Sequence, residues 1–258
     1  MATAAATAAP APFQRRGPHH LIDLPGGRVV FTTREGGVSQ GPYATLNLGF
    51  LTDDRPQAVR ENRARLETEF GVRLGFVHQV HGSDVRRLTA ADAEREQREG
   101  PGSLIRADGQ VSTEPGLAAA ALAADCLPVA IAAPGAVAML HAGWRGLHQG
   151  VIAAGVAALR AAGGQGPLTA AIGPGAGPCC YEVGDEVHCA FAELPAAVHA
   201  GRHLDLPAIA RHRLAAAGVA TVHSIGLCTI CSGPNRFFSH RRDHGVTGRQ
   251  AGIAWPRP

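Results

Sequence analysis

Residues 117–146 read LAAAALAADCLPVAIAAPGAVAMLHAGWRG. Three apolar runs of strand length, 117–123, 128–132 and 137–141, are separated by Asp125-Cys126 and Pro134-Gly135. Near-continuous apolar runs bounded by turn residues predict strands buried on both faces, although the many alanines leave a helix open. After His141 the chain passes through AGWRG, and 147–162 has the apolar spacing and alanine content of a helix closed by Gly163-Gly164. A strand therefore feeds a glycine-rich turn and then a helix. LTAAIGPGAGP at 168–178 repeats that pattern, with its helix starting near Asp185.

Working outward, 207–216 predicts another helix, VATVHSIG at 219–226 a strand, and SHRRDHGVTGRQ at 239–250 an Arg/His-rich tail. Upstream, RLGFVHQVH at 73–81 reads as a strand ending at His81-Gly82, and ADAEREQREGPGS at 91–103 as a charged connection. Asp53 or Asp54 is positioned to cap a helix with Pro56 in its first turn and Val59, Leu66 and Phe70 on one stripe. Residues 28–33 form a β-branched run that empties into the polar segment REGGVSQGPYATLNLG, long enough to be a site loop. The Ala/Thr/Pro-rich residues 1–17 read as a disordered tail ahead of one domain spanning 18–258. Mixed strands and helices in this order predict an α+β fold, with no repeat and no internal linker.

Composition removes several chemistries. All 24 basic side chains are arginines, so no lysine is available for a Schiff base, pyridoxal phosphate attachment or a Walker A loop. Any anion must be held by guanidinium or backbone N–H. A net charge of +3, with arginines spread along the chain, argues against nucleic acid as a partner. Asp125 and Pro128 interrupt the most apolar stretch, so no membrane helix is expected. Six cysteines in a chain of this length fit a reducing, cytoplasmic setting, and a monomer is the expected state.

Three donors lie at predicted strand ends: His81 in HQVHGSD, Cys126 in AADCLP and His141 in LHAGWRG. Two imidazoles and a thiolate make a three-ligand zinc set with a fourth position for water or substrate. The same residues also suit a thiolate nucleophile at Cys126 with a histidine base, or a His₂Cys copper site with Met139 as axial ligand. Ligands 45 and 15 residues apart form no motif, so these readings stay open at this level. Arg145, just ahead of the helix expected at Leu147, could bind phosphate; Arg34 and Arg241 are further anion-binding candidates. Residues 37–41, GVSQG, match a nucleophile elbow but lack the following helix. IGPGAGP misses the dinucleotide spacing. Cys228-Thr229-Ile230-Cys231 is a lone CxxC, and with only adjacent Cys179-Cys180 as a second pair it reads as packing or incidental thiols.

Six ordered blocks carry a resemblance: TTREGGVSQGPYATLNLG, HQVHGSDV, ADGQVSTEPGLAAAALAADCLPV, AMLHAGWRGLHQGV, AIGPGAGPCCYEVGDEV and CTICSGPNRFFSHRRDHGVTGRQAGIAW. From about Val29 to Trp255 the chain resembles the laccase-domain family, whose members are described as multicopper polyphenol oxidases, peptidoglycan editing factors and metal-dependent purine nucleoside phosphorylases. His240 stands where a tyrosine is expected before the arginine pair. The resemblance implies a single-domain α/β/β/α layered fold with mixed sheets, and it implies His81, Cys126 and His141 as ligands of Zn²⁺, with Cu²⁺ as the alternative. It also implies phosphorolysis of adenosine, inosine and methylthioadenosine, with adenosine deamination besides. Purine nucleoside and phosphate are then the partners. The alternative activities it implies are a cysteine-dependent amidase that edits peptidoglycan precursors and a copper polyphenol oxidase.

Overall fold

A computed structural model describes residues 11–257. In chain order the regular elements are β1 (Gln14–Arg16), β2 (His19–Leu24), β3 (Gly27–Phe31), α1 (Pro56–Phe70), β4 (Arg73–Gly75), β5 (Val85–Arg87), α2 (Ala90–Glu99), β6 (Gly109–Ser112), β7 (Leu117–Ala123), β8 (Leu127–Ala133) and β9 (Ala136–Ala142). They continue with α3 (Trp144–Gln149), α4 (Val151–Ala161), β10 (Leu168–Ile172), α5 (Asp185–Cys189), β11 (His199–Ala200), β12 (His203–Leu204), α6 (Leu206–Ala216), β13 (Val219–Ser224) and β14 (Gln250–Pro256).

Two six-stranded sheets result, ordered β1-β2-β3-β14-β7-β4 and β13-β10-β8-β9-β6-β5, and β11 and β12 form a separate ribbon. Among the named strands of the described residues the parallel pairs are β4–β7, β5–β6 and β10–β13, so both sheets are mixed. The alanine-rich runs are strands because both their faces are covered. On β7, Ala118 and Ala120 meet Leu66 of α1, while Ala119 and Ala121 face the other sheet. On β9, Val137 and Met139 fill the inter-sheet layer, and Ala136, Ala138 and Leu140 belong to the layer under α4. Three apolar layers thus separate helix, sheet, sheet and helix, the α+β single-domain architecture expected.

Small side chains set how closely the sheets approach. A Cβ on Gly252 would lie 2.6 Å from Pro128 Cβ and 2.8 Å from Met139 Sδ. Met139 is therefore part of the core between the sheets, and its sulfur is committed there rather than offered as an axial ligand. The β8–β9 hairpin closes through Pro134-Gly135 with Ala133 opposite Ala136, and Gly135 at φ +95 supplies the left-handed residue such a turn requires.

Several local expectations change. The segment 73–81 is extended only over β4, and His81 sits on the following loop with φ 60. The charged connection contains α2, whose start is fixed by reciprocal hydrogen bonds between Thr89 and Asp92. The helix expected over 147–162 starts at Trp144 and breaks into α3 and α4, because Gly150 adopts φ +90 and closes α3 onto Gly146 O. Arg55, not an aspartate, precedes α1; Asp54 instead accepts from Ser39 Oγ (2.6 Å) and Asn47 Nδ2 (3.0 Å), pinning the polar loop and occupying the Ser39 hydroxyl. The tail boundary also shifts: Phe13 is buried and β1 precedes residue 18, whereas residues 1–10 lie outside the described residues.

Candidate metal centre and cavity

Cys126 lies at the turn where the chain leaves β7 of one sheet and enters β8 of the other. Asp125 before it has φ 97, a backbone region that costs a non-glycine residue about 1–3 kcal/mol and persists only when surroundings enforce it. The surroundings here are explicit. Asp125 accepts from Thr229 Oγ1 (2.6 Å) and from the Arg241 amide (2.7 Å), while its carbonyl accepts from Ala176 N (2.7 Å).

His141 is the penultimate residue of β9, opposite Pro128 of β8, which brings it beside the Cys126 turn. Its Nδ1 lies 2.8 Å from Asp108 Oδ1. The Asp108 carboxylate is fully buried and also accepts the backbone N–H groups of Val80 (3.1 Å), His81 (2.9 Å) and Gly82 (2.7 Å). One carboxylate therefore orients His141 and folds the loop that presents His81. With Nδ1–H donated to Asp108, Nε2 of His141 is the nitrogen turned toward Cys126.

The donor atoms of His81, Cys126 and His141 all lie within 4.8 Å of one another. The two rings meet edge to face with centroids 4.8 Å apart. His141 is buried, Cys126 half-buried and His81 exposed, so the group is open on one side. Burial pushes the Cys126 thiol up, but the charge and hydrogen bonds of His141 and then His81 outweigh it and bring it down to about 6. Burial likewise pushes His141 down, yet Cys126 and Asp108 together raise it to about 9. The chemistry of this donor set fits a divalent zinc ion: tetrahedral bonds of about 2.0–2.3 Å need donors about 3.5 Å apart, an adjustment of roughly 1 Å. Space is tight, because a Cβ on Gly143 would sit 2.8 Å from Cys126 Sγ.

The group opens into a cavity of about 520 Å³ whose wall includes Trp144, Arg145, Tyr181, Arg241 and Arg249. Arg145 stacks over Trp144 at 4.4 Å and is exposed. Because α3 is so short, its dipole adds little, and anion binding falls to the guanidinium groups. Arg241 stacks on Tyr181 and donates to Glu182 O (2.7 Å). Arg34 does not reach the cavity: it donates to Ala44 O, Pro234 O and Pro42 O and stacks over Phe238, so its role is to tie loops together. Sequence spacing misses Asp108, Asp125, Arg63 and Arg249. Arg63 is held between Phe50 and Phe76 and paired with buried Glu96. Arg249, from the Arg/His-rich tail, has its guanidinium value lowered by burial, against the pull of Cys126 and Asp125. The lone CxxC is also misjudged, since Cys228 and Cys231 meet Cys179 and Cys180 in one cluster.

The family model described as "Multi-copper polyphenol oxidoreductase laccase" matches residues 28–257. A protein of Pseudomonas aeruginosa named purine nucleoside phosphorylase PA4543 is 42% identical over 240 residues, covering 88% of this chain and 93% of that protein. Purine nucleoside phosphorylase YfiH of Escherichia coli is 39% identical, covering 87% and 91%. The crystal structure of YlmD from Geobacillus stearothermophilus superposes with a TM-score of 0.87 at 33% identity, over 96% of this chain and all of that one. On the extent of these matches, the chain belongs to the multi-copper polyphenol oxidoreductase laccase family.

Proposed function

We propose that this chain is a zinc-dependent purine nucleoside phosphorylase that takes adenosine, inosine and methylthioadenosine and also deaminates adenosine. The observation that carries the reading is the opening of a His₂Cys donor set into a cavity walled by Arg145, Arg241 and Arg249. Its volume, about 520 Å³, lies within the range of small-molecule sites. The relatives named purine nucleoside phosphorylase support the substrate class.

Zinc held by His81, Cys126 and His141 would supply Lewis acidity at this wall. The chain's own residues do the rest. Arg145 and Arg241 hold phosphate by bidentate hydrogen bonds, while Trp144, Tyr181 and Leu122 offer the apolar and aromatic surface a purine needs. A phosphate oxygen then bonds to C1′ of the ribose, the glycosidic bond breaks, and its electron pair leaves with the base, which takes up a proton. The guanidinium groups lining the cavity, Arg249 half-buried among them, favour the charge that develops on the way. Action as a cytoplasmic monomer is part of the reading. All six cysteines are free, which suits a reducing compartment, and no helix among the described residues is long and apolar enough to cross a membrane.

Incubation of the pure protein with inosine, with and without phosphate, tests the proposal. Hypoxanthine release that depends on phosphate is expected; no such release overturns it. One observation favours a second reading: Cys126, His141 and Asp108 are ordered as nucleophile, base and orienting carboxylate, the arrangement of a thiol amidase that could edit peptidoglycan precursors. Amide hydrolysis that survives chelation and is lost in Cys126→Ser would select it over the first.

A further inference from the structure

The stretch after β10, GPGAGPCCY, and the stretch after β13, GLCTICS, run side by side. Gly175 pairs with Cys228 in a parallel bridge, with Gly175 N donating to Leu227 O (3.3 Å) and Thr229 N donating to Gly175 O (3.0 Å). Each stretch then turns back on itself. The amides of Cys180 and Tyr181 both donate to Gly177 O at 3.0 Å, and Ser232 N donates to Cys228 O at 3.1 Å. The two turns bring the Sγ atoms of Cys179, Cys180, Cys228 and Cys231 within 4.8 Å of one another, with Cys179 and Cys231 3.4 Å apart.

Packing does not account for this convergence. Unreactive structural thiols sit in the core, whereas only Cys228 is buried here; Cys180 is half-buried, and Cys179 and Cys231 are exposed. The dimensions instead match one ion. A zinc ion with sulfur bonds of about 2.3 Å places its four ligands about 3.8 Å apart, between the 3.4 Å of Cys179 and Cys231 and the 4.8 Å within which all four sulfurs lie. Gly177 N–H points at Cys228 Sγ (3.4 Å), and the amides of Ile230 and Cys231 also hydrogen-bond that sulfur, as a CxxC turn around a metal-bound thiolate requires. A recess of about 220 Å³ beside Cys179 and Cys228 is lined by both Arg211 of α6 and Asp205 at its start.

We propose that Cys179, Cys180, Cys228 and Cys231 form a second, structural metal site that takes tetrahedral zinc, separate from the group at His81, Cys126 and His141. Binding exchanges the four S–H protons for four S–Zn bonds, with no electron transferred. All four coordination positions are filled by protein, so the ion offers no place for substrate. Its consequence for the cavity is positional. Tyr181, which lines the cavity, follows Cys180 directly; Thr229, inside the CxxC, donates to Asp125 beside Cys126; and Thr229 O accepts from Arg242 Nη1 (2.9 Å). Closing the cysteine cluster holds these attachments in register.

The test uses the full chain, purified under reducing conditions without chelator. Elemental analysis is made of wild type, Cys179→Ser/Cys231→Ser and His81→Ala/His141→Ala. The expected result is that the cysteine variant loses one equivalent of zinc and melts at a lower temperature, and that the histidine variant loses a different equivalent. Cobalt(II) added to the histidine variant should give the intense thiolate-to-metal absorption and strong visible bands of tetrahedral sulfur coordination. In wild type, alkylation followed by mass mapping should find all four cysteines protected until a chelator is added, a result that stands even if the variants fail to fold. Zinc content unchanged in a folded cysteine variant, alkylation of the four cysteines before chelation, a Cys179–Cys231 disulfide in place of metal, or iron as the bound metal would each overturn the proposal. Failure of the histidine variant to lose metal would overturn the proposed cavity site alone.

Discussion

The two sulfur-bearing clusters are built on opposite plans. At the cavity, one thiol and two imidazoles come from a sheet crossover, a loop and a strand, and a buried carboxylate, Asp108, sets the orientation of the latter two. At the other, four thiols come from two adjacent turns, beside a recess lined by both Arg211 and Asp205. Three donors beside a cavity leave a coordination position open; four donors leave none. That is the physical division between metal sites that act on substrate and metal sites that hold structure.

The largest effect that would break this contrast is at the thiol. Cys126→Ser should lower phosphorolysis by about 10³-fold or more and remove the cavity metal, because serine stays a neutral, weak ligand. Kinetics paired with zinc analysis checks it; a variant with near wild-type turnover would strip Cys126 of its role. The four-cysteine zinc should be retained in the same sample.

Acid sharpens the contrast by adding a third kind of histidine environment. His19 and His20 of β2 are buried away from both clusters. Burial first, then the charges of His20 and Arg15 at His19, and those of Arg236 and Arg15 at His20, lower each to about 4. A histidine depressed in the folded state is protonated first in the unfolded chain. Its contribution to stability is therefore fully present above about pH 6.5 and is lost as pH falls toward about 4, by at most about 3 kcal/mol for each ring. The urea midpoint should fall across that interval in the chelated protein as well as the metal-loaded one. A flat midpoint would contradict the burial argument.

Asp108→Asn comes next. The amide keeps the shape but no longer accepts from every donor around it, and an outer-shell change of this kind costs about 10–100-fold in metal affinity or activity. Competition with a metal indicator measures it. Unchanged affinity would mean that His141 is oriented by the strand alone.

How much of this was legible in the sequence follows from what each feature depends on. The strands of 117–141 are visible because burial on both faces leaves an uninterrupted apolar run in one dimension. Cys126 and His141 stand out because each is a donor at the end of such a run, and His81 because it is a donor beside a glycine after a segment read as a strand. Asp108 gives no such sign: its partners are three amides near residue 81 and a ring at residue 141, a pairing set by the alignment of β6 with β9. The cysteine cluster is hidden for the same reason. Adjacent Cys179-Cys180 looks unsuited to a metal until the Gly175–Cys228 bridge brings the CxxC beside it. Arg34 errs in the other direction, since a loop arginine near a site-like sequence is indistinguishable from one that braces carbonyl groups.

The smallest expected effects come from a pair of glycines, one beside each cluster. A methyl group on Gly143 would lie 2.8 Å from Cys126 Sγ and 3.3 Å from His81 Cδ2, so Gly143→Ala must push apart two of the three proposed ligands. Metal affinity at the cavity should drop by about 10-fold, the low end for a displaced ligand shell. A methyl group on Gly177 meets Cys179 Sγ and Cys228 Cβ at 3.4 Å, close to ordinary contact. Gly177→Ala should keep its full zinc content and change stability by no more than about 1 kcal/mol, since the loss of freedom in the unfolded chain offsets slight crowding. The two substitutions are chemically identical, so equal zinc retention in both would mean that the cavity ligands are free to spread. The two clusters would then differ in donor number alone and not in rigidity.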